Sequence, residues 1–430
     1  MASVPTWIER MLPPSPLARR LSFQSILFAT GEGAFLTGSA VFFTHIVGLS
    51  AAQVGLGLTI AGLSSFVFAV PLGRFADRVG PKRVWAAVAL IEAALFLVWP
   101  WLEGFWQFLA MVVVLEVFGT AGGAARGAYT LNVFSREERV RSLAFMRSAL
   151  NIGFTIGAMI GGLALATNSD EVIQWVPVIP AVILAINALL ITRLPDTAQD
   201  TAAGAGADLA PETETETETS ERPSVLRNRG YLAMSFFDGI LSTNQVLLNV
   251  VIPLWLVQET DAPRVLLAWL FGTNTVLAVL LQVPASRGSE TVNGALRAAR
   301  ISTGFMVLSC FVVMVTHDTI GWVTIALVWF GHVTVTGAEL FQSAGHWGLT
   351  SELSEADRRA EYQGATHVGG TLGSVWAPAL FTYLAMSWGT TGWMVIAAIV
   401  MVGGIGITPA ARASERWLAT RTRQTADQPA

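Results

Sequence analysis

Residues 71–84 read PLGRFADRVGPKRV, a strongly charged stretch set between two long apolar runs. Gly73, Arg74, Asp77, Arg78, Gly80, Lys82 and Arg83 give the pattern G-R-x-x-D-R-x-G-x-K-R. The stretch reads as a short loop at a membrane face. Gly73 carries no Cβ and lets two backbones approach. Asp77 is a carboxylate suited to a neighbouring helix N-terminus, where the macrodipole favours negative charge. Arg74, Arg78 and Arg83 can pair with carboxylates or lipid phosphates. Gly80-Pro81 favours a tight turn.

The chain on either side agrees with a membrane setting. Of 430 residues, 53% are hydrophobic and 13% charged. Soluble domains carry roughly 25% charged residues, so this composition reads as a polytopic membrane protein. Cys310 is the sole cysteine, which excludes an internal disulfide framework and a CxxC metal site. No nucleophile–base pair, metal-ligand spacing or nucleotide loop is present. The expectation is a protein that is not an enzyme, with no cofactor, no metal and no nucleic-acid partner.

A membrane helix needs about 20 mostly apolar residues. Twelve segments qualify: 22–47, 52–72, 84–102, 106–128, 142–168, 174–193, 231–256, 265–285, 297–316, 320–346, 361–386 and 389–409. The first is too long for a signal-peptide core. Arginines cluster on alternate sides of these spans. One side holds Arg10, Arg19 and Arg20, the 74–83 group, Arg136, Arg139 and Arg141, Arg193 to Arg229, Arg287 and Arg297, Arg358 and Arg359, and the C-terminal arginines; the other holds Arg264. By the positive-inside rule both termini are cytoplasmic.

Between spans 6 and 7 the composition changes. Asp196 to Ser224 has almost no large apolar residues and includes alternating Glu and Thr from Glu212 to Thr219. Such a segment buries too little surface to order itself. The expected organisation is a six-helix bundle over 1–194, a flexible cytoplasmic linker over 195–228 and a second six-helix bundle over 229–430. The halves read as repeats. Val283-Pro284-Ala285-Ser286-Arg287 mirrors Val70-Pro71-Leu72-Gly73-Arg74, with Glu290 at the place of Asp77. Gly373, Ala377 and Pro378 in span 11 mirror the glycines of span 5. Secondary transporters are often built from such repeats, with the binding site near the bilayer midplane.

The 71–84 pattern resembles the loop between helices 2 and 3 of the major facilitator superfamily of transporters. The resemblance implies an all-α membrane fold with 12 transmembrane helices in two pseudo-symmetric six-helix bundles. It also implies that Gly73, Arg74, Asp77, Arg78, Gly80 and Arg83 form a latch that holds the cytoplasmic side shut. Span 5 reads G-x-x-x-G-A-x-x-G-G through Gly153, Gly157, Gly161 and Gly162. It resembles the signature of the superfamily's proton-coupled exporters, with Ala158 in place of their proline. Close helix packing explains the same glycines equally well. Residues 337–364 are similar to the span 10 to span 11 region of multidrug-type exporters. In span 4, Glu116 stands where many such exporters carry an arginine, and Arg126 lies about 15 Å further toward the cytoplasm.

Ionisable groups inside spans are costly and suggest function. The candidates for proton coupling or substrate contact are Glu32, Glu116, Arg147, Asn151, Asp238, Asn244 and Glu339. Glu92, in span 3, reads as structural. A carboxylate in a low-dielectric cavity holds its proton more tightly than in water, which suits proton exchange. The alternative is an ion pair with Arg147 or Arg126. His332, His346 and His367 read as helix-bridging residues or a proton relay. The expected function is proton-coupled export of a small amphipathic compound by a monomer in the lipid bilayer of a bacterial inner membrane. The alternatives are a proton symporter or facilitator for nutrient uptake, or a non-transporting scaffold.

Overall fold

The computed structural model describes residues 12–167, 169–202 and 224–426. Arg10, Arg222 and the Glu212 to Thr219 run lie outside the described residues. Every regular element among the described residues is helical. Among the described residues, eleven helices are long and apolar enough to cross a membrane. The last of them is two spans, broken at Gly389 (φ 53°, ψ −128°). A side chain with a Cβ is strained at such a φ, so glycine marks the joint. The fold is an all-α, twelve-helix membrane fold.

The helices are α1 Pro16–Ile46, α2 Ala51–Val79, α3 Pro81–Trp101, α4 Gly104–Val133, α5 Arg136–Ala166 and α6 Asp170–Thr192. They continue with α7 Arg229–Glu259, α8 Leu266–Ser286, α9 Val292–Asp318, α10 Trp322–Leu353, α11 over 359–388 and α12 over 390–426. Their starts are written in local chemistry. Ser15 caps α1 by accepting from the Ala18 N–H at 3.2 Å, with Pro16 in the first turn. Ser50 and Gln53 form a reciprocal capping box at α2.

The 71–84 stretch is not a loop. α2 runs through Pro71 to Val79, and Gly80 (φ 105°) alone turns the chain before Pro81 opens α3. A helix satisfies its own backbone as it leaves the bilayer. Arg74, Asp77 and Arg78 then share one helical face at i, i+3 and i+4.

The chain divides into two compact units. One comprises Met1–Thr217 with Ala356–Gly364, the other Glu218–Glu355 with Ala365–Ala430. Residues 356–364 therefore pack with the first unit, although their chain neighbours belong to the second. In the first unit α1 packs along α5, α2 along α4, and α3 against α4 and α6. One core there joins Trp85, Tyr129 and Phe134 with Ala360. Another is aromatic, with Phe42, Phe43, Trp99 and Phe108 buried together. In the second unit α10 packs along α8 and α9.

Small residues set the tightest contacts. A Cβ at Gly153, Gly157 or Gly161 would strike the backbone oxygens of Ile26, Thr30 or Ala34 in α1. In the second unit a Cβ at Gly369 would strike Ser235 O, and one at Gly373 would strike Gly239 O. The α5–α1 and α11–α7 pairs thus use the same device: removal of Cβ brings two helices into backbone contact.

Candidate gating and transport residues

The charged end of α2 meets the start of α11 inside the first unit. Asp77 accepts from two backbone donors, Ala360 N–H at 2.9 Å on Oδ1 and Glu361 N–H at 2.8 Å on Oδ2. The first N–H groups of a helix have no intrahelical partner, so this carboxylate completes the N-terminus of α11 and meets its positive dipole. Arg74 Nε lies 2.9 Å from Glu361 Oε1, and Glu361 is fully buried. Arg358 holds the other Glu361 oxygen. A Cβ on Gly73 would run into Ala360 O, and one on Gly364 into Ala69 O. Arg359 donates to Leu131 O and to Asn132 Oδ1 at the end of α4. Arg78 and Arg83 are exposed and outside this set. Gly80 supplies the turn.

The first residues of the expected linker join the same set. Lys82 Nζ pairs with Asp196 at 2.7 Å, and Lys82 N–H donates to Asp200 Oδ1 at 2.9 Å. Asp200 Oδ2 accepts from the Thr197 N–H and hydroxyl. Tyr129 donates to Pro195 O at 2.8 Å. Gln199 donates to Asp77 Oδ1 at 3.0 Å and to Asp357 O at 3.0 Å, and it accepts from Asn132 Nδ2 at 2.7 Å. These polar anchors order a stretch whose composition lacks apolar anchors. The rest of the acidic segment, 203–223, lies outside the described residues.

Deeper in the first unit three carboxylates approach one another. Glu92 of α3 lies within electrostatic reach of Glu32 in α1 and Glu116 in α4. Glu92 rests against α4 where Gly119 leaves room: a Cβ there would lie 3.3 Å from Glu92 Oε1. Glu32 and Glu92 are half-buried and Glu116 is exposed. Arg147 and Asn151 are half-buried one turn apart on α5. Among the described residues Arg126 pairs with no carboxylate. Its Nη2 donates to Ser25 Oγ at 2.9 Å, and its guanidinium sits 5.5 Å from the Phe28 ring centre.

The second unit holds two separate acidic positions. Asp238 of α7 is buried; His346 Nδ1 lies 2.6 Å from its Oδ2, and Gln342 donates to its Oδ1 at 3.0 Å. Glu339 is buried one turn from Gln342 on α10 and accepts from Asn274 of α8 at 3.1 Å. Asn274 also donates to Thr336 at 3.2 Å. Asn244 is committed locally: it donates to Leu241 O at 2.8 Å, where α7 is interrupted. No cluster of metal-ligating side chains is found among the described residues.

Against known proteins, the profile of the Major Facilitator Superfamily matches residues 21–343. The chain belongs to the Major Facilitator Superfamily. This superfamily member is 31% identical over 159 residues to the phosphoglycerate transporter protein of Salmonella typhimurium, covering 37% of this chain and 34% of that relative's length. Its fold is similar to that of FucP, a superfamily transporter solved in an outward conformation, with TM-score 0.67 and 15% identity over 93% of this chain and 99% of that one. A human organic anion transporter gives TM-score 0.63 at 14% identity, covering 91% and 98% of the two chains. The proton:xylose symporter XylE gives 0.62 at 11% identity, covering 90% and 94%. At these identities the likeness is one of fold.

Sequence reading of this superfamily member missed Gln199, Asn132 and the company of Glu92. Gln199 sits in a polar stretch with no local pattern to single it out. Glu92 is one carboxylate in an apolar span, and only the packing of α3 on α4 reveals its neighbours. The α5 glycines Gly153, Gly157 and Gly161 are accounted for by contact with α1, while a Cβ on Gly162 would meet nothing within 4 Å.

Proposed function

We propose that this protein is a proton-coupled secondary transporter that exports a small amphipathic compound by alternating access. It acts as a monomer in a bacterial inner membrane, with both termini and the Asp77 end of α2 in the cytoplasm. The observation that carries the reading is the polar set joining Asp77, Arg74 and Gln199 to the start of α11. It consists of hydrogen bonds and ion pairs around a glycine contact. Such a set can open and re-form with water as the alternative partner, because exchange with water leaves each bond to a charged group worth only about 1.5–3 kcal/mol net.

Protons are exchanged at carboxylates placed inside the bundles. Asp238 with His346 and Gln342, and Glu339 with Asn274, have hydrogen-bond partners that can adapt to either protonation state. Glu32, Glu92 and Glu116 repel one another when all are ionised, so a proton or a cationic group relieves the trio. Carboxylates of this kind would be an expensive ornament in a mere scaffold.

Uptake by symport is the second reading. Solved proteins of similar fold include a proton:xylose symporter, and the α5 glycines that resemble an exporter signature are equally served by packing. The test is transport in proteoliposomes under an imposed pH gradient, with Glu339→Gln and Asp238→Asn beside wild type. Substrate moving against the proton flux, and lost in either variant, supports export. Substrate moving with the protons favours uptake. Movement indifferent to the gradient in wild type removes proton coupling.

A further inference from the structure

Among the described residues, Arg126 is a charge without a counter-charge in contact. It lies on α4, seven residues before the helix ends at Val133, about 10 Å inside that end. Charged side chains at membrane depth are almost always paired, because an isolated ion in a low-dielectric setting is costly. Among the described residues Arg126 has no carboxylate within salt-bridge distance. Its partners are the Ser25 hydroxyl and the Phe28 ring, both on α1.

Those partners orient the guanidinium rather than neutralise it. Ser25 Oγ donates its own proton to Leu21 O at 2.8 Å, so towards Arg126 it is an acceptor. The Phe28 face takes the cation through its quadrupole. With one edge of the fork occupied at Nη2, the remaining N–H donors stay available for an oxyanion, which a guanidinium binds through paired hydrogen bonds. Space for a ligand exists on the same face of α4. Gly123, one turn before Arg126, is exposed, and a Cβ there would meet nothing within 4 Å. Ala124, Ala125 and Ala128 face the other way, into the core around Trp85 and Tyr129.

We propose that Arg126 is the anion-recognition residue of the transport site, with Ser25 and Phe28 as its positioning residues, and that the substrate carries a carboxylate or phosphate group beside its apolar part. The proposal rests on the transporter reading above and names the substrate class for it. The oxyanion supplies the missing counter-charge, so loading the site removes an electrostatic cost that the empty protein bears.

The experiment is ligand-induced thermal stabilisation of the purified full chain, titrated with benzoate, hexanoate, phenyl phosphate and 3-phosphoglycerate. Benzyl alcohol, glucose and ethidium are the neutral and cationic controls. The expected result is stabilisation by at least one anion. Its dissociation constant should rise about tenfold or more in Arg126→Gln, the scale of a lost charge-assisted bond, and less in Arg126→Lys and Ser25→Ala. Comparing the carboxylates with the phosphates shows which oxyanion is preferred. If Arg126→Gln does not fold, the Lys and Ser25→Ala variants carry the test. No stabilisation by any anion, or anion affinity unchanged in the variants, overturns the proposal. The same compounds are then followed in proteoliposomes under a pH gradient. Movement of a neutral or cationic compound, unchanged in the variants, overturns the anion assignment and leaves the transporter reading intact. Anion binding that depends on Arg126, with no compound moved, overturns the transporter reading instead.

Discussion

Gln199 donates its side-chain amide to Oδ1 of Asp77 at 3.0 Å, tying the stretch after α6 to the end of α2. The same Oδ1 accepts from Ala360 N–H, and Asn132 links Gln199 to Arg359. The cap on α11 is therefore held from three places in the chain. Gln199→Ala removes these bonds without touching Asp77. The expected result is about fivefold faster deuterium uptake at the 359–364 amides, from the loss of about 1 kcal/mol of protection. Gln199→Glu should be faster still, since it sets a second carboxylate against Asp77. Uptake unchanged in both variants would show that Gln199 contributes nothing to the cap.

Asp77→Asn keeps one acceptor oxygen and loses the charge. Hydrogen bonds to charged groups are worth about 1.5–3 kcal/mol, so the same amides should exchange at least about tenfold faster. Gly73→Ala should be at least as damaging by another route, because its methyl would have to displace the Ala360 carbonyl. Arg83→Ala, an exposed member of the same motif, should leave exchange near wild type. A large effect at Arg83 with none at Gly73 would refute the arrangement.

Two glycines of α5 separate packing from sequence pattern. Gly157→Ala drives a methyl into Thr30 O and Ala34 N of α1, whereas the methyl of Gly162→Ala meets nothing within 4 Å. The first should destabilise the purified protein by more than about 2 kcal/mol, the scale of overpacking a tight contact. The second should melt near wild type. Equal melting temperatures would show that α1 and α5 are not in backbone contact.

Asp238→Asn keeps the shape of the His346 and Gln342 contacts and removes the ionisable group. If Asp238 carries the coupling proton, gradient-driven accumulation in proteoliposomes should be lost while exchange of substrate at equal concentrations persists. Loss of both processes in a correctly folded variant would place Asp238 in substrate binding instead.

Much of the fold was legible in the chain because the bilayer makes span length, apolar composition and charge placement strong signals. The twelve spans and the joint near Gly389 follow from those quantities. So do Asp77 as a cap-seeking carboxylate and the membrane carboxylates as candidates. Local sequence could not show that 71–79 is helical, because charge alone suggested a loop and the continuing backbone pattern was decided by the helix above it. Nor could it distinguish the engaged Arg74 from the exposed Arg83, or join Glu92 to Glu32 and Glu116. It also left Arg126 with possible carboxylate partners that the fold places elsewhere. Residues far apart in the chain meet only when helices pack, and which face of α4 looks at α1, or which amide reaches Asp77, is set by that packing. The sequence determined what must be buried in the membrane; the tertiary structure decided which polar side chains meet there, because that depends on which helix faces pack together.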